Sequence, residues 1–198
     1  MIAVPNQPPK LTPTEYFAWE EQQLHRHEYI NGEVYAMSGG TRNHSRIALK
    51  FGALLDNHLS NSSCQVFNSD CRVKIVETND YIYPDVSVSC DPRDKTTDQY
   101  ITYPCIIIEV LSDSTEAYDR GKKFFRYRQN PQLQDYVLVS SQEIAIDLYR
   151  KNSNDHWEII NYRPGDTVEL QSVNLSFPIE QVYRGIDFLE VSAESAQP

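Results

Sequence analysis

The sequence predicts an α/β or α+β fold in which helices pack on a sheet. Segments with helical and strand patterns follow one another as helix, hairpin, helix, strands, helix and strands. One segment, CIIIEVLS at 105–112, is apolar enough to be a central strand covered on both faces. The length of 198 residues fits a single domain. We place that domain at 11–190, between a flexible segment at 1–10 and a flexible tail at 191–198.

The first part of the chain carries clear start and turn signals. Thr12, Pro13 and Glu15 have the spacing of an N-cap, a first helical residue and a capping box. The pair Asn31-Gly32 favours a tight hairpin turn between two apolar segments. A helix is predicted over roughly 42–60, because its apolar residues recur on one face: Ile47, Phe51, Leu54, Leu55 and Leu59.

Strand patterns dominate the rest of the chain. CRVKIVE and YIYPDVSVSC are each predicted as a strand, and Val66-Phe67 as a short one. A helix near 115–129 follows the apolar segment and is stopped by Pro131. The remaining predicted strands are DYVLVS, IAIDLYR, HWEIINYR and GDTVEL.

Composition excludes some classes of protein and disfavours others. A net charge of -10 opposes non-specific binding to nucleic acid, although a local basic strip can still bind it. No apolar run is long enough for a membrane span, and no signal peptide is recognisable, so we expect a cytoplasmic protein. The four cysteines lack zinc-ligand spacing, and we expect them to be reduced core residues.

Two carboxylates are candidates for a shared site. Glu109 interrupts the most apolar strand, where a carboxylate is costly unless it is paired, protonated or bound to a cation. Asp85 lies 24 positions earlier (109 − 85), at the entry to another predicted strand. If the two strands are neighbours, the pair could bind a hard divalent cation such as Mg²⁺.

A cation is expected beside such a pair to stabilise developing negative charge. Two positions after Glu109 the chain has Leu111, so no lysine stands there. Lys123 follows Asp119 by four residues, which places both on one face of the predicted helix. That helix could return the ammonium group toward Glu109.

The motifs YPDVSV, IIEVLS, YDRGKKFFRYR, PQLQDYVLV and NGEVYAMSGG occur in an order that resembles the Uma-type family of restriction-endonuclease-like proteins. This family is part of the PD-(D/E)XK nuclease superfamily, and the resemblance covers about 11–185. It implies an α/β fold with a mixed central sheet flanked by helices, and a divalent-metal site. By resemblance, Asp85 and Glu109 bind the metal, Lys123 is the family's lysine, and Glu33 matches an upstream acidic position.

Each candidate also has a structural interpretation. Asp85 could cap a turn, Glu109 could form an ion pair with Lys123 or Arg120, and Glu33 could be an ordinary hairpin residue. His44 and Asp119 are candidate supporting residues, and the alternatives are a helix-start histidine and a charge that stabilises a helix turn. Four basic residues could contact phosphate or simply be solvated: Arg42, Arg46, Lys122 and Arg126.

These observations lead to one preferred function and two alternatives. The preferred function is a Mg²⁺-dependent phosphodiesterase, with Mn²⁺ as a substitute, that cleaves nucleic acid, with DNA as the expected substrate. Catalysis would use Asp85, Glu109, Lys123 and Glu33, and a homodimer would supply two sites for a duplex. The first alternative is a non-catalytic binding or assembly module, motivated by Leu111 and by the acidic net charge. A zinc hydrolase is the least favoured, because the ligand spacing is missing.

Overall fold

The computed structural model describes residues 10–37 and 39–188. The helices are α1 (Pro13–Glu20), α2 (Arg42–Leu59), α3 (Glu116–Tyr118), α4 (Phe124–Tyr127) and α5 (Glu180–Tyr183). A π-helical turn at Asp119–Lys123 joins α3 to α4. The first seven strands are β1 (His27–Ile30), β2 (Glu33–Ala36), β3 (Gln65–Asn68), β4 (Arg72–Ile75), β5 (Asp80–Ile82), β6 (Val86–Ser89) and β7 (Tyr100–Ile101). The other six are β8 (Pro104–Leu111), β9 (Asp135–Ser140), β10 (Ile146–Lys151), β11 (Trp157–Tyr162), β12 (Thr167–Leu170) and β13 (Leu175–Pro178).

A six-stranded mixed sheet forms the centre of the fold, in the order β11-β10-β9-β8-β6-β3. Its two central strands, β8 and β9, are parallel, and the other pairs in this sheet are antiparallel. Alternate residues of β8 enter two different cores. Ile106, Ile108 and Val110 pack in a core that includes α2, whereas Ile107 and Leu111 pack against the opposite face. The predicted α/β fold with a mixed sheet and flanking helices is therefore confirmed.

A second sheet of five strands has the order β2-β1-β5-β4-β7. The segment YIYPDVSVSC, predicted as one strand, is divided between the two sheets: β5 belongs to the second sheet and β6 to the central sheet. The physical reason is Pro84, which has no backbone N–H to donate to a ladder. Asp85 therefore lies at the seam where the chain passes from one sheet to the other.

The local signals at the N-terminal end are confirmed. Thr12 and Glu15 form a reciprocal capping box at α1, with Pro13 at its first position. Asn31 and Gly32 both have positive φ, at 52° and 87°, as the tight turn between β1 and β2 requires. The predicted long helix is α2, and its buried face is the predicted one.

The C-terminal part contains more structure than the sequence patterns predict. GDTVEL does form β12, but β13 pairs with it and α5 follows, and neither was predicted. The predicted flexible tail at 191–198 lies outside the described residues, as does all of the predicted flexible segment at 1–10 except Lys10. Within the part of the chain that the structure describes, no helix has the length and apolar character to span a membrane.

The prediction that all four cysteines are reduced is wrong. Cys64 and Cys90 form a disulfide, and Cys71 and Cys105 are free. The reason lies in the register of two strands. Gln65 of β3 is the partner of Ser89 of β6, so the preceding and following residues, Cys64 and Cys90, extend the same antiparallel ladder. A spacing of 26 residues does not reveal this neighbourhood.

Candidate active site

Glu109 is held inside the central sheet by β8. Its side chain lies on the same face as Ile107 and Leu111, because alternate residues of a strand share a face. The residue is only 2% exposed. Burial raises the pKa of Glu109 well above its ordinary value, Lys123 opposes that shift, and Asp119 and Asp85 add to it. Its oxygen Oε1 is buried and lies 2.9 Å from Nζ of Lys123.

Lys123 reaches Glu109 from the π-helical turn that follows β8. Its Nζ lies 2.9 Å from Oε1 of Glu109 and 3.7 Å from Oδ1 of Asp119. It also donates a hydrogen bond to the carbonyl oxygen of Tyr83 at 3.3 Å. Burial alone would lower the pKa of Lys123, but the surrounding carboxylates outweigh it and raise the pKa well above the ordinary value. The side chain is thus a permanent cation.

Glu28 is a third carboxylate beside Lys123, and the sequence patterns did not single it out. Its Oε1 lies 3.5 Å from Nζ of Lys123 and accepts a hydrogen bond from the backbone N–H of Tyr83. Glu28 is buried on β1, whereas Glu33 is partly exposed on β2. The sequence carries no signal that separates them: HEYI and EVYA each contain one glutamate, and HEYI is the more polar arm although it is the buried one.

Glu33 was expected to belong to the acidic cluster, but the structure places its side chain elsewhere. Its carboxylate accepts a hydrogen bond from the Tyr35 hydroxyl and lies 4.0 Å from the ammonium of Lys10. The hairpin register explains the separation. Tyr35, not Glu33, is the partner of Glu28, and Glu33 lies two residues or about 7 Å farther along β2.

Asp85 and His44 complete the cluster from the other side. Asp85 Oδ2 accepts a hydrogen bond from the backbone N–H of Val110, the residue after Glu109, at 2.7 Å. His44 Nε2 lies 3.2 Å from the same oxygen. His44 is in the first turn of α2, whose N-cap is Thr41. Burial acts to lower the pKa of His44, but the adjacent Asp85 outweighs it and the pKa is raised.

A cavity of 390 Å³ opens onto these residues. Lys122 and Arg126 are the two predicted phosphate contacts that line it, and Arg126 also binds the buried carboxylate of Asp80. Arg42 and Arg46 do not line it. Both arginines are exposed on α2. Each is two residues away from His44, so its side chain points about 200° around the helix from that of His44. The structure therefore separates the four basic residues into two groups.

The donor atoms suit a hard cation with a large share of water ligands. Asp85 and Glu109 offer carboxylate oxygens, and both residues line the cavity. Among residues 10–37 and 39–188, no group of three or more His, Cys, Asp and Glu has the arrangement of a metal site. Two carboxylates are still compatible with Mg²⁺, which commonly keeps several waters.

Sequence comparison finds one family model, Uma2, described as "Putative restriction endonuclease", which matches residues 13–180. Two proteins of Synechocystis sp. are similar to the chain, and both are named as uncharacterized. The protein slr1290 is 54% identical over 180 residues, which are 91% of this chain and 95% of the relative. The protein sll1609 is 34% identical over 164 residues, which are 81% and 92% of the two chains.

Structure comparison finds a similar fold in a crystal structure described as "a putative nuclease belonging to DUF820" from Anabaena variabilis. The TM-score is 0.71, and the match covers 87% of this chain and 97% of the other. The two sequences are 18% identical, so this likeness concerns the fold.

Proposed function

The chain belongs to the Uma2 family of restriction-endonuclease-like proteins, and from this we propose that it is a Mg²⁺-dependent endonuclease acting on nucleic acid, with DNA as the substrate. One observation carries the proposal: an ammonium group and several carboxylates are buried together at a cavity. Lys123 lies within 4 Å of Glu28, Glu109 and Asp119. Such a concentration of charge costs folding free energy, and sites that carry such a cost are commonly functional.

The residues divide into two chemical roles. Asp85 and Glu109 would hold the Mg²⁺ ion, or Mn²⁺ in its place. When bound, the ion would supply Lewis-acid stabilisation of the scissile phosphate and lower the pKa of a bound water. Because the pKa of Glu109 is raised, occupation of the site requires this carboxyl group to release its proton.

Lys123 would act as a fixed positive charge. Its raised pKa keeps the side chain protonated, so it suits stabilisation of negative charge on the phosphate better than removal of a proton from water. Glu28 and Asp119 hold the ammonium in place. Lys122 and Arg126, which line the cavity, would contact neighbouring phosphates.

The decisive experiment measures cleavage of DNA with Mg²⁺ or Mn²⁺. We expect the wild-type protein to cut, and Asp85→Ala and Lys123→Ala each to lose at least about a hundredfold in rate, since each removes charge stabilisation from the reaction. Lys95→Ala is the matched control, because Lys95 is an exposed lysine on the segment before β7 and does not line the cavity. Equal rates in all four proteins would refute the assignment.

A non-catalytic binding module is the second candidate, and Leu111 favours it. In the wider superfamily a lysine is expected where Leu111 stands, and here that side chain is 5% exposed in an apolar core. The two candidates differ in their response to metal. If the site binds Mg²⁺, adding the ion should raise the melting temperature of the wild-type protein and not that of Glu109→Ala. No shift in either protein, together with no cleavage, would favour the binding module.

The proposal extends to assembly and location. A homodimer would present two such sites to the two strands of a duplex, and β11 is an edge strand with Ile159 61% exposed on it. Sedimentation of the purified chain tests the dimer. A cytoplasmic location would give the protein access to nucleic acid, and disulfides in that compartment are usually transient or redox-active.

A further inference from the structure

Three of the four cysteines meet at one end of the central sheet, away from the acidic cluster. Cys64 precedes β3, Cys90 follows β6, and Cys105 is the second residue of β8. The first two form the disulfide, and Sγ of the free Cys105 lies 3.7 Å from Sγ of Cys90. The fourth, Cys71, is the other free cysteine and precedes β4 in the second sheet.

A β-bulge places Cys105 beside the disulfide. In the ladder between β6 and β8, Val88 pairs with Ile106 and Ser89 pairs with Pro104, so Cys105 is the extra residue between two pairs. A bulge re-aims the side chain of its extra residue. Here the thiol points toward Cys90 and donates a weak hydrogen bond to the carbonyl oxygen of Val88. The register of the sheet thus brings a third sulfur to an existing disulfide.

We propose that Cys64, Cys90 and Cys105 form a thiol–disulfide exchange site, in which the Cys105 sulfur displaces Cys64 from Cys90. The Cys105 thiolate attacks Sγ of Cys90, and a Cys90–Cys105 bond forms while the Cys64–Cys90 bond breaks. Cys64 leaves as a thiolate and takes up the proton that Cys105 lost. The number of disulfides stays at one, so the step needs no external oxidant or reductant.

The exchange would move the covalent link within the sheet. The Cys64–Cys90 bond ties β3, which is an edge strand beside β6 in the described part of the chain, to the rest of the sheet. The Cys90–Cys105 bond would tie β6 to β8, two strands that already pair with each other. All three residues are partly exposed. The edge strand β3 would therefore be covalently linked to β6 while Cys64 and Cys90 are bonded, and held by hydrogen bonds and packing alone once Cys90 and Cys105 are bonded.

Burial raises the pKa of Cys105 to about 11, which makes the attacking thiolate scarce at neutral pH. The exchange should therefore be slow near pH 7 and should accelerate about tenfold for each unit of pH up to pH 9. An external thiol with an ordinary pKa of about 8.5 also becomes more reactive as pH rises, so comparison with Cys105→Ser, together with the pH dependence, identifies Cys105 as the attacking group.

The test uses the full chain, purified without reductant, with free thiols trapped by alkylation in acid after incubation at different pH values. Peptide mapping without reduction should show Cys64 becoming alkylated over time, faster at higher pH, with a Cys90–Cys105 peptide appearing in step. Cys105→Ser should abolish this, and Cys71→Ser, the matched control at the other free cysteine, should not. If alkylation of Cys64 is equally slow in the wild type and in Cys105→Ser, the proposal is overturned.

A second variant isolates the product of the exchange. Cys64→Ser leaves Cys90 and Cys105 as two thiols, and we expect oxidised glutathione to link them while it is reduced to two molecules of glutathione. The double variant Cys64→Ser/Cys105→Ser should form no internal disulfide at Cys90. If Cys64→Ser keeps the circular dichroism spectrum of the wild type but Cys90 and Cys105 both remain alkylatable after oxidation, the sulfurs do not exchange and the proposal fails.

Discussion

Two charge clusters of this protein differ in their balance of charge: one has an excess of carboxylates and the other pairs each carboxylate with a cation. In the cluster around Lys123, one ammonium group faces three carboxylates, those of Glu28, Glu109 and Asp119. In the cluster around Asp147, two guanidinium groups, Arg120 and Arg163, face two carboxylates, since Arg120 also pairs with Glu116, and Nδ2 of Asn161 lies 2.6 Å from Asp147.

The pKa directions follow this difference. Burial raises the pKa of Glu109 and its cation only partly opposes the shift. Burial also acts on Asp147, but hydrogen bonds from Asn161 and the two arginines outweigh it and lower the pKa. A cluster with as many cations as carboxylates favours the charged carboxylate and supports the fold, whereas one with excess carboxylates retains the capacity to bind a further cation. We infer that the imbalance marks the functional cluster, and three variants test that inference.

The largest expected effect is that of Lys123→Met. It removes the cation from among buried carboxylates, and loss of one partner of a buried ion pair costs about 3–5 kcal/mol. Denaturant unfolding should show this loss in the free energy of unfolding. Lys122→Met, at the exposed neighbouring lysine, should change it by less than about 0.5 kcal/mol. Similar values for the two variants would mean that the cluster around Lys123 is not held together by its charge.

Asp147→Asn should have an intermediate effect of about 1–2 kcal/mol. The arginine side chains are 35% and 51% exposed, so solvent screens part of the interaction. The effect should depend on pH. Because the folded pKa of Asp147 is lowered, its contribution is complete above the ordinary pKa of about 3.9 and is lost as pH falls through the folded value. A difference between wild type and variant that stays constant down to pH 2 would contradict this.

Glu109→Gln should have the smallest effect and the opposite sign. It replaces one of three buried carboxyl groups around a single ammonium with a neutral amide of similar shape, so we expect the free energy of unfolding to rise by about 1 kcal/mol. Asp147→Asn is the matched comparison, since it makes the same chemical change in the balanced cluster and should destabilise the protein. Destabilisation by both variants would show that the two clusters serve the fold in the same way.

The sequence predicted features that depend on neighbouring residues along the chain. The capping box at Thr12, the turn at Asn31 and the buried face of α2 are local patterns, and they were found. The proximity of Asp85, Glu109 and Lys123 also followed, from motif order and from the four-residue spacing after Asp119. Whether these residues catalyse a reaction stays a prediction.

The missed features depend on the register between strands. Glu28 and Glu33 are both acidic residues of one hairpin, and only the packing of β1 against β5 makes Glu28 the buried one. Cys64 and Cys90 meet because β3 pairs with β6 in one register and not another. Such pairings are long-range contacts, and composition and periodicity within a segment carry no information about them.

The seam at Tyr83–Asp85 gives the site a mechanical aspect. Glu28 belongs to the five-stranded sheet and Glu109 to the six-stranded sheet, and the ammonium of Lys123 contacts both carboxylates and the Tyr83 carbonyl between them. The Lys123 side chain therefore links the two sheets. A ligand that attracts the ammonium of Lys123 would weaken its contacts with Glu28, Glu109 and the Tyr83 carbonyl. Substrate binding and the rigidity of the junction between the sheets would therefore be coupled through the Nζ atom of Lys123.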